Sequence, residues 1–270
     1  MTVLLSSQNR VLLLIIGCAV LWSLESVMPL YRFRDHRLRR TLPNVGLTVL
    51  VLLTNLVLSF AAASVAGFVV SHRIGLLFLT RLPLWIEVII GVAALDLFAY
   101  VAHVLLHKMP LAWRFHRVHH SEEEVDVTTA FRQHPGESIW RVLWQLPAIA
   151  LFGLPLWLVV VYLTVSAVNA QLEHANVRLR EPLDRLVRAL FVTPNMHKTH
   201  HSRRQTETDS NYSNIFSLWD RVFGTYTAHV AFPTLRYGLD DLDERETQRL
   251  RGLLAMPFAS HGAPLLAKGR

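Results

Sequence analysis

Four long apolar stretches constrain the fold of this chain more than any other feature of its 270 residues. They cover residues 11–30, 45–70, 84–106 and 139–168. A helix needs about 20 consecutive apolar residues to cross a bilayer, so each of the first three stretches predicts one membrane span. Charged residues make up 17% of the chain, compared with about a quarter in ordinary soluble domains, and this low share also favours a membrane protein.

The fourth stretch contains the sequence FGLP, residues 152–155, near its middle. Proline interrupts a helix, so residues 139–173 are predicted to form two short helices or a shallow re-entrant hairpin that turns at Gly153–Pro155. One kinked span is the alternative, and it would place the flanking segments at opposite membrane faces. The predicted fold is therefore all-α. It is an integral membrane helical bundle of three long spans plus a short helical hairpin, with a cytoplasmic helical cap.

Basic residues set the predicted orientation of these spans. Arg10 precedes the first stretch, whereas five arginines follow it, namely Arg32, Arg34, Arg37, Arg39 and Arg40. Because loops rich in Lys and Arg stay in the cytoplasm, the N-terminus is expected outside and the histidine motifs and C-terminus inside. The net charge of +7 lies beside apolar runs rather than in a polar stripe, which argues against nucleic-acid binding. Arginine outnumbers lysine 24 to 3, which favours a GC-rich bacterial source and hence an inner-membrane location.

Histidines form three clusters, HVLLH at residues 103–107, HRVHH at 116–120 and HKTHH at 197–201. Residues three or four apart share one face of a helix, so each cluster predicts imidazoles that can bind a common metal ion. The eight histidines exceed the four ligands of a structural zinc site, which makes two metal ions the simpler prediction. Imidazole binds zinc, copper, iron and nickel alike, so the spacing leaves the metal open. The single cysteine, Cys18, excludes an intramolecular disulfide and a thiolate metal cage.

Three further residues are candidates for the same dimetal site. His134 in RQHPGE and His174 in LEHAN are candidate ligands, with a structural role as the equal alternative for each. Asp96 lies within the third span, where a carboxylate is costly and usually functional. It is about two helical turns, roughly 10 Å, from His103, so it is expected to orient a histidine of another segment through a hydrogen bond. Pairing of Asp96 with a structural arginine is the alternative.

As a set, these motifs resemble the fatty acid hydroxylase/sterol desaturase superfamily of membrane di-iron oxidases. The similar segments cover about residues 90–227 and are DLFAYVAHVLLH, RQHPGE, LEHAN, TPNMHKTHHS and DSNYSNIFSLWDRVFGTY. The chain departs from the family pattern at Val104, where members often have arginine, and at Ser213, where glycine is usual. Neither departure removes a histidine.

The resemblance implies two iron ions, O2 as co-substrate and attack on a C–H bond of a membrane lipid. Electrons would come from a separate soluble or membrane donor protein, similar to cytochrome b5 or a ferredoxin. The predicted catalytic domain is 84–230, between an N-terminal transmembrane region at 1–83 and a C-terminal tail at 231–270. The metal ligands that the resemblance implies, with His134 as a further candidate, are His103, His107, His116, His119, His120, His174, His197, His200 and His201.

Hydroxylation and desaturation require the same metal pair, and hydroxylation is the favoured reaction. The substrate is a fatty acyl chain, a sterol or hopanoid, a carotenoid or an ether lipid. A membrane zinc-binding or transport protein is the alternative from another class, but a transporter would carry its ionisable residues near the midplane of its spans. A catalytically inactive relative that keeps the metals for stability is a third interpretation.

Overall fold

A computed structural model describes residues 7–33, 37–228, 235–240 and 247–259 of the protein. Within these ranges the chain is helical and contains no β-strand, in agreement with the predicted all-α fold. Most of the predicted tail lies outside the described residues. In chain order, the α-helices are α1 (Ser7–Val27), α2 (Arg37–Ser71), α3 (Leu84–Lys108), α4 (Pro110–His120), α5 (Pro135–Phe152), α6 (Leu156–His174), α7 (Glu181–Val187), α8 (Pro194–His200), α9 (Gln205–Thr208), α10 (Leu218–Val222) and α11 (Leu250–Ala255).

Four helices are long and apolar enough, by length and composition, to cross a membrane. They present large apolar side chains outward, with Ile15 60%, Leu56 61% and Phe60 69% exposed. Apolar surface of this extent indicates contact with lipid rather than water. Three of these helices match the predicted spans, and the fourth is the second helix of the predicted hairpin, which is longer than expected. The four segments are Gln8–Val27, Arg37–Phe78, Leu84–Lys108 and Leu156–His174.

The chain reverses between α5 and α6 at the turn that the FGLP sequence predicts. Gly153 ends α5 in the left-handed conformation, with φ of 72°, and its N–H donates to the Ile149 carbonyl at 2.9 Å. A Cβ atom at Gly153 would lie 2.5 Å from the Ile74 carbonyl oxygen, so only glycine fits this contact with the segment after α2. The reversal returns the chain to the end of the bundle where α5 begins. The structure therefore excludes one kinked span across residues 139–168.

One core joins α2, α3, α5 and α6. Its buried members include Val69 of α2, Leu95 of α3, Ile149 of α5 and both Leu158 and Tyr162 of α6. Lipid tails are as apolar as leucine, so close packing rather than exclusion from water holds such helices together in a bilayer. This core fixes the relative positions of the ends of α3 and α6, which carry histidines.

A buried carboxylate ties α1 to the loops around the histidines. Oε1 of Glu25 accepts hydrogen bonds from the Val127 N–H at 2.8 Å and from the Asn176 N–H at 2.6 Å. Its Oε2 pairs with Arg37, whose guanidinium lies 3.6 Å from the ring centroid of Trp22. Asn176 follows the last histidine of α6 by two residues. The N-terminal region thus holds a segment that belongs to the histidine-rich part of the chain.

Replacing Glu25 with alanine is expected to lower the free energy of unfolding by about 1–3 kcal/mol, because two buried N–H groups lose their acceptor. Thermal unfolding of the protein purified in detergent measures this change. Ser23→Ala is the matched control, since Ser23 is exposed on the same helix and donates only to the Ala19 carbonyl of its own helix. Equal unfolding temperatures for the two variants would contradict the role given to Glu25.

Candidate metal centre

The first two histidine clusters lie on consecutive helices. His103 and His107 occupy the last two turns of α3, and α4 carries the HRVHH cluster. Met109 separates the helices with an extended backbone, as expected of a residue before proline, and Pro110 begins α4. This break turns α4 so that Nε2 of His116 lies 3.0 Å from Nε2 of His103.

The remaining histidines come from α6 and α8. His174 is the last residue of α6, and α8 with the residue after it carries the HKTHH cluster. Thr193 begins α8 as its N-cap, because its hydroxyl accepts a hydrogen bond from the Met196 N–H at 3.2 Å. Pro194 follows in the first turn, where its missing N–H costs nothing. These signals place the HKTHH cluster on a short, well-defined helix.

A buried lysine fixes α8 against the end of α6. Nζ of Lys198 donates to the Ala175 carbonyl at 2.5 Å and to the Val177 carbonyl at 3.1 Å. Burial lowers the pKa of Lys198 to about 7. Because these two carbonyls belong to the first and third residues after His174, the lysine sets the distance between that histidine and the HKTHH cluster.

Nine histidines converge as two adjacent groups, and all nine are buried. Within each group the ligand nitrogens all lie within 4.8 Å of one another. The rings of His120 and His201 stack across the two groups with centroids 4.7 Å apart. The five-histidine site consists of His103, His107, His116, His120 and His200. The four-histidine site consists of His119, His174, His197 and His201.

Each HxxHH motif contributes to both sites. In each motif the two histidines four residues apart belong to one site, because they share a helix face, and the third belongs to the other. The crossing residues are His119, which joins the four-histidine site, and His200, which joins the five-histidine site. The repeated HxxHH pattern therefore supplies both neighbouring sites, because each motif gives two histidines to one site and one histidine to the other.

The positions of the ring nitrogens fit first-row transition metal ions. Nε2 of His174 lies 3.0 to 3.1 Å from that of every other member of the four-histidine site. Two imidazole nitrogens at right angles around one ion, each about 2.1 Å from it, would lie about 3.0 Å apart. In the five-histidine site, the Nε2 atoms of His107 and His200 are buried and have no hydrogen-bond partner among the described residues. A pair of metal ions would satisfy these converging nitrogens.

Backbone carbonyl groups hold the opposite ring nitrogen of several histidines. Nδ1 of His103 lies 2.7 Å from the Tyr212 oxygen, and Nδ1 of His200 lies 2.7 Å from the Ser210 oxygen. Nδ1 of His174 is held in the same way by a carbonyl of its own helix. A carbonyl only accepts, so each Nδ1 carries the hydrogen and each Nε2 keeps its lone pair. This tautomer is the one that a metal ion requires at Nε2.

Carboxylates surround the two sites unequally. Glu137 is fully buried and lies 3.1 Å from Nδ1 of His116 in the five-histidine site. Asp209 lies 3.6 Å from Nδ1 of His107 in the same site. In the four-histidine site, Glu173 lies 3.7 Å from Nε2 of His197 and 3.8 Å from Nδ1 of His174. A carboxylate near an imidazole strengthens the ring as a ligand. Among the described residues, two such carboxylates lie beside the five-histidine site and one lies beside the four-histidine site.

Burial keeps the histidines beyond the spans neutral. It lowers the pKa of each of them well below the usual value for histidine, and the neighbouring imidazoles lower it further. A neutral imidazole keeps the lone pair that binds a metal ion, so these residues are ready to bind at neutral pH. The residues concerned are His116, His119, His120, His197, His200 and His201.

His134 lies outside both sites, unlike the other nine candidate histidines. It is the N-cap of α5, and its Nδ1 accepts a hydrogen bond from the Gly136 N–H at 2.9 Å. Its ring packs against Phe115, with centroids 5.2 Å apart. Of the two isolated histidines that the sequence presents as candidates, the structure brings only His174 to a site.

Asp96 makes different contacts from those expected. Its carboxylate accepts hydrogen bonds from the Ile215 N–H at 3.2 Å, the Phe216 N–H at 3.0 Å and the Trp219 indole N–H at 2.9 Å. None of these three donors belongs to a histidine. The expectation that Asp96 orients a histidine ring is therefore corrected. Two helical turns separate Asp96 from His103, so its carboxylate meets the returning C-terminal segment instead.

Sequence reasoning missed three residues that line the five-histidine site, namely Glu137, Asp209 and Tyr212. Glu137 follows His134 in RQHPGE, and only the histidine of that motif was predicted to belong to the site. Asp209 and Tyr212 lie in DSNYSN, which the resemblance includes without assigning either a role. Their place in these motifs was the available signal, and only the folded chain shows what they contact.

Known proteins match about half of this chain. Over 149 residues the chain is 35% identical to an ornithine lipid hydroxylase of Rhizobium tropici, which covers 53% of this chain and 43% of that protein. It is 30% identical over 145 residues to the alkylglycerol monooxygenase of Homo sapiens, covering 53% of this chain and 31% of that protein. The Caenorhabditis elegans alkylglycerol monooxygenase is 29% identical over 145 residues, 53% of this chain and 28% of that protein. The chain thus aligns with less than half of each relative.

No solved structure matches the chain significantly. The family model for fatty acid hydroxylases matches residues 88–225, which is just over half of the chain and contains all nine converging histidines. By this match and by its two buried histidine sites, the chain belongs to the fatty acid hydroxylase family.

Proposed function

We propose that the protein is an O2-dependent di-iron oxidase that hydroxylates a C–H bond of a membrane lipid. The observation that carries this proposal is the pair of adjacent all-histidine sites, buried at one end of apolar helices. Relatives named as a lipid hydroxylase and as alkylglycerol monooxygenases match about half of this chain. When bound, iron would supply the activation of O2 that attack on an unactivated C–H bond requires.

The residues of this chain would hold the iron and keep water from it. Carbonyl groups fix the histidine tautomers, and burial keeps the rings neutral, so no proton must leave before a metal ion binds. Trp113 packs against His107 and His120, with ring centroids 5.1 and 5.5 Å apart, and is only 8% exposed. Its indole covers the five-histidine site on the side of α4. Exclusion of water in this way protects a reactive centre from side reactions.

A lipid would reach the sites from the bilayer. The sites lie at the ends of α3 and α6, both of which are long and apolar enough to cross a membrane. Trp140 and Trp144 of α5 pack together with centroids 6.1 Å apart, and the Trp140 indole donates to the carbonyl of Ala102, beside His103. These aromatic rings are proposed to line an apolar channel for the lipid chain.

The proposed location is the bacterial inner membrane, with several spans, the N-terminus outside, and the histidines and C-terminus cytoplasmic. The basic loop after α1 lies at the histidine end, since Nε of Arg40 pairs with Glu124 at 3.0 Å, close after the HRVHH motif. Positive loops stay cytoplasmic, which supports this orientation. Leu183 and Leu186 of α7 are 51% and 74% exposed, as expected of a helix at the membrane surface. The separate cytochrome b5-like or ferredoxin-like donor would deliver electrons at this face.

A topology reporter tests this orientation. The reporter is an enzyme that is active only in the cytoplasm. When it is fused after Arg270, it is expected to be active. The same reporter joined to the N-terminus should give the opposite result. A silent C-terminal fusion would contradict the proposed orientation of the histidine sites.

Desaturation uses the same metals, but the names of the curated relatives favour hydroxylation. Transport would need ionisable residues near the midplane of the spans, whereas these histidines gather at one end of the bundle.

Lipid analysis of a host with and without the gene tests the proposed reaction. Hydroxylation is expected to add the mass of one oxygen atom to one lipid class. A host expressing the His200→Ala variant is the control, since that variant removes a proposed ligand. Loss of two hydrogens would identify a desaturase, and an unchanged lipid profile would contradict both reactions.

A further inference from the structure

A tyrosine packs directly against the five-histidine site. The ring centroid of Tyr212 lies 5.0 Å from that of His107, 5.6 Å from that of His200 and 5.7 Å from that of His103. The side chain is buried, with 1% exposure. A phenol is one of the few side chains that lose a single electron readily when a proton can leave with it, so the place of Tyr212 beside a proposed oxidising centre has chemical consequences.

A second tyrosine continues from Tyr212 to the surface. The ring of Tyr100 lies 6.5 Å from that of Tyr212 and stacks on Phe223 at 5.4 Å, with an interplanar angle of 18°. Tyr100 is buried, whereas Phe223 is 55% exposed. Aromatic rings at these separations exchange electrons readily, so the pair provides a path from the metal site to the edge of the protein.

Each of the two phenol groups lies near a proton acceptor. The Tyr212 hydroxyl donates to Oδ1 of Asp209 at 3.4 Å. The Tyr100 hydroxyl lies 2.8 Å from Oγ1 of Thr225, which itself donates to Oδ1 of Asp220 at 2.7 Å. Oxidation of tyrosine releases one proton with each electron, so a nearby carboxylate is the group that such a step requires.

We propose that Tyr212 and Tyr100 form a redox pair that returns electrons to the metal centre when O2 reacts without a lipid bound. The inference rests on the proposed di-iron function. Tyr212 gives one electron to the O2-oxidised metal site, which is reduced by one electron, and its proton goes to the Asp209 carboxylate.

Tyr100 then reduces the Tyr212 phenoxyl radical by one electron. The proton held by Asp209 returns to the oxygen of Tyr212, and the hydroxyl proton of Tyr100 passes to Thr225 as that of Thr225 passes to Asp220. The separate electron-donor protein finally reduces Tyr100, and the proton returns along the same path. The pair thus removes oxidising equivalents that would otherwise damage the site.

Electron paramagnetic resonance of the iron-loaded, reduced protein tests this role. Exposure to O2 without lipid is expected to give an organic radical whose hyperfine pattern changes when the protein is made with deuterated tyrosine. That change excludes Trp113 as the radical. Tyr212→Phe is expected to lose the signal at unchanged iron content. Tyr237→Phe should keep it, since Tyr237 is also buried but packs against Tyr31.

A Tyr100→Phe variant provides a second measurement that does not alter a neighbour of the ligands. It blocks the path to the surface, so the Tyr212 radical is expected to live longer than in the parent protein. If the parent oxidises lipid but gives no tyrosine radical, the redox pair is wrong and the hydroxylase proposal stands. A full signal in Tyr212→Phe, or an unchanged lifetime in Tyr100→Phe, would equally overturn the pair. Failure to bind iron or consume O2 would instead contradict the proposed function. The redox pair rests on that function and would be contradicted as well.

Discussion

His174→Ala is expected to lower the iron content from about two to about one ion per chain and to abolish lipid oxidation, because His174 is the proposed central ligand of the four-histidine site. Its Nε2 lies within 3.1 Å of the Nε2 atoms of the other three members. Removing it leaves three imidazoles without their common neighbour. Iron analysis of protein purified without O2 measures the loss, and size-exclusion chromatography checks that the variant still folds.

His134→Ala is the matched control, since His134 is the other isolated histidine that the sequence presents as a candidate ligand. The structure makes His134 an N-cap, so this variant is expected to keep its iron and lose only about 0.5–2 kcal/mol of stability. Loss of iron from His134→Ala to the same extent as from His174→Ala would contradict the placement of His134 outside both sites.

Asp96→Ala is expected to destabilise the protein by about 3 kcal/mol or more, because it leaves three buried N–H donors without an acceptor. Two of them are the backbone groups of Ile215 and Phe216, and the third is the Trp219 indole. The segment they belong to follows Tyr212, whose carbonyl orients His103. Iron should therefore bind more weakly as well, as a consequence of the loosened segment.

Thermal unfolding in detergent, with iron analysis beside it, measures both effects of Asp96→Ala. Glu87→Gln, in the first turn of the same helix, is the control for altering a carboxylate on α3 and is expected to change neither. Loss of iron without any loss of stability would show that Asp96 supports a metal-binding histidine, as the sequence analysis expected.

The sequence was sufficient to predict the helical fold, the first three long apolar helices and the histidine clusters, since each depends on local periodicity. The FGLP turn was equally local, because glycine and proline determine it within four residues. How the histidines divide between the sites was not predictable, since it depends on the angle at which α8 meets α6. Lys198 sets that angle through carbonyls that follow His174, and no spacing rule reveals such a contact.

The contacts of carboxylates were the least predictable feature. Asp96 and His103 share a helix face, which suggested a common role, but the partners of Asp96 come from a segment more than one hundred residues later. Glu25 interrupts the first apolar stretch, and the sequence offered no partner for it. In the structure it accepts from Val127 and Asn176, so the N-terminal region supports the histidine-rich part.

Oxygen-isotope labelling tests the central claim most directly. The iron-loaded protein would be supplied with membrane lipid, an electron donor and O2 labelled with oxygen-18, and the lipid products analysed by mass spectrometry. A lipid hydroxylase built on these nine histidines is expected to place one labelled oxygen atom in each product molecule, and His174→Ala should yield none. A product that lacks the label, or one that has only lost two hydrogens, would contradict lipid hydroxylation by this centre.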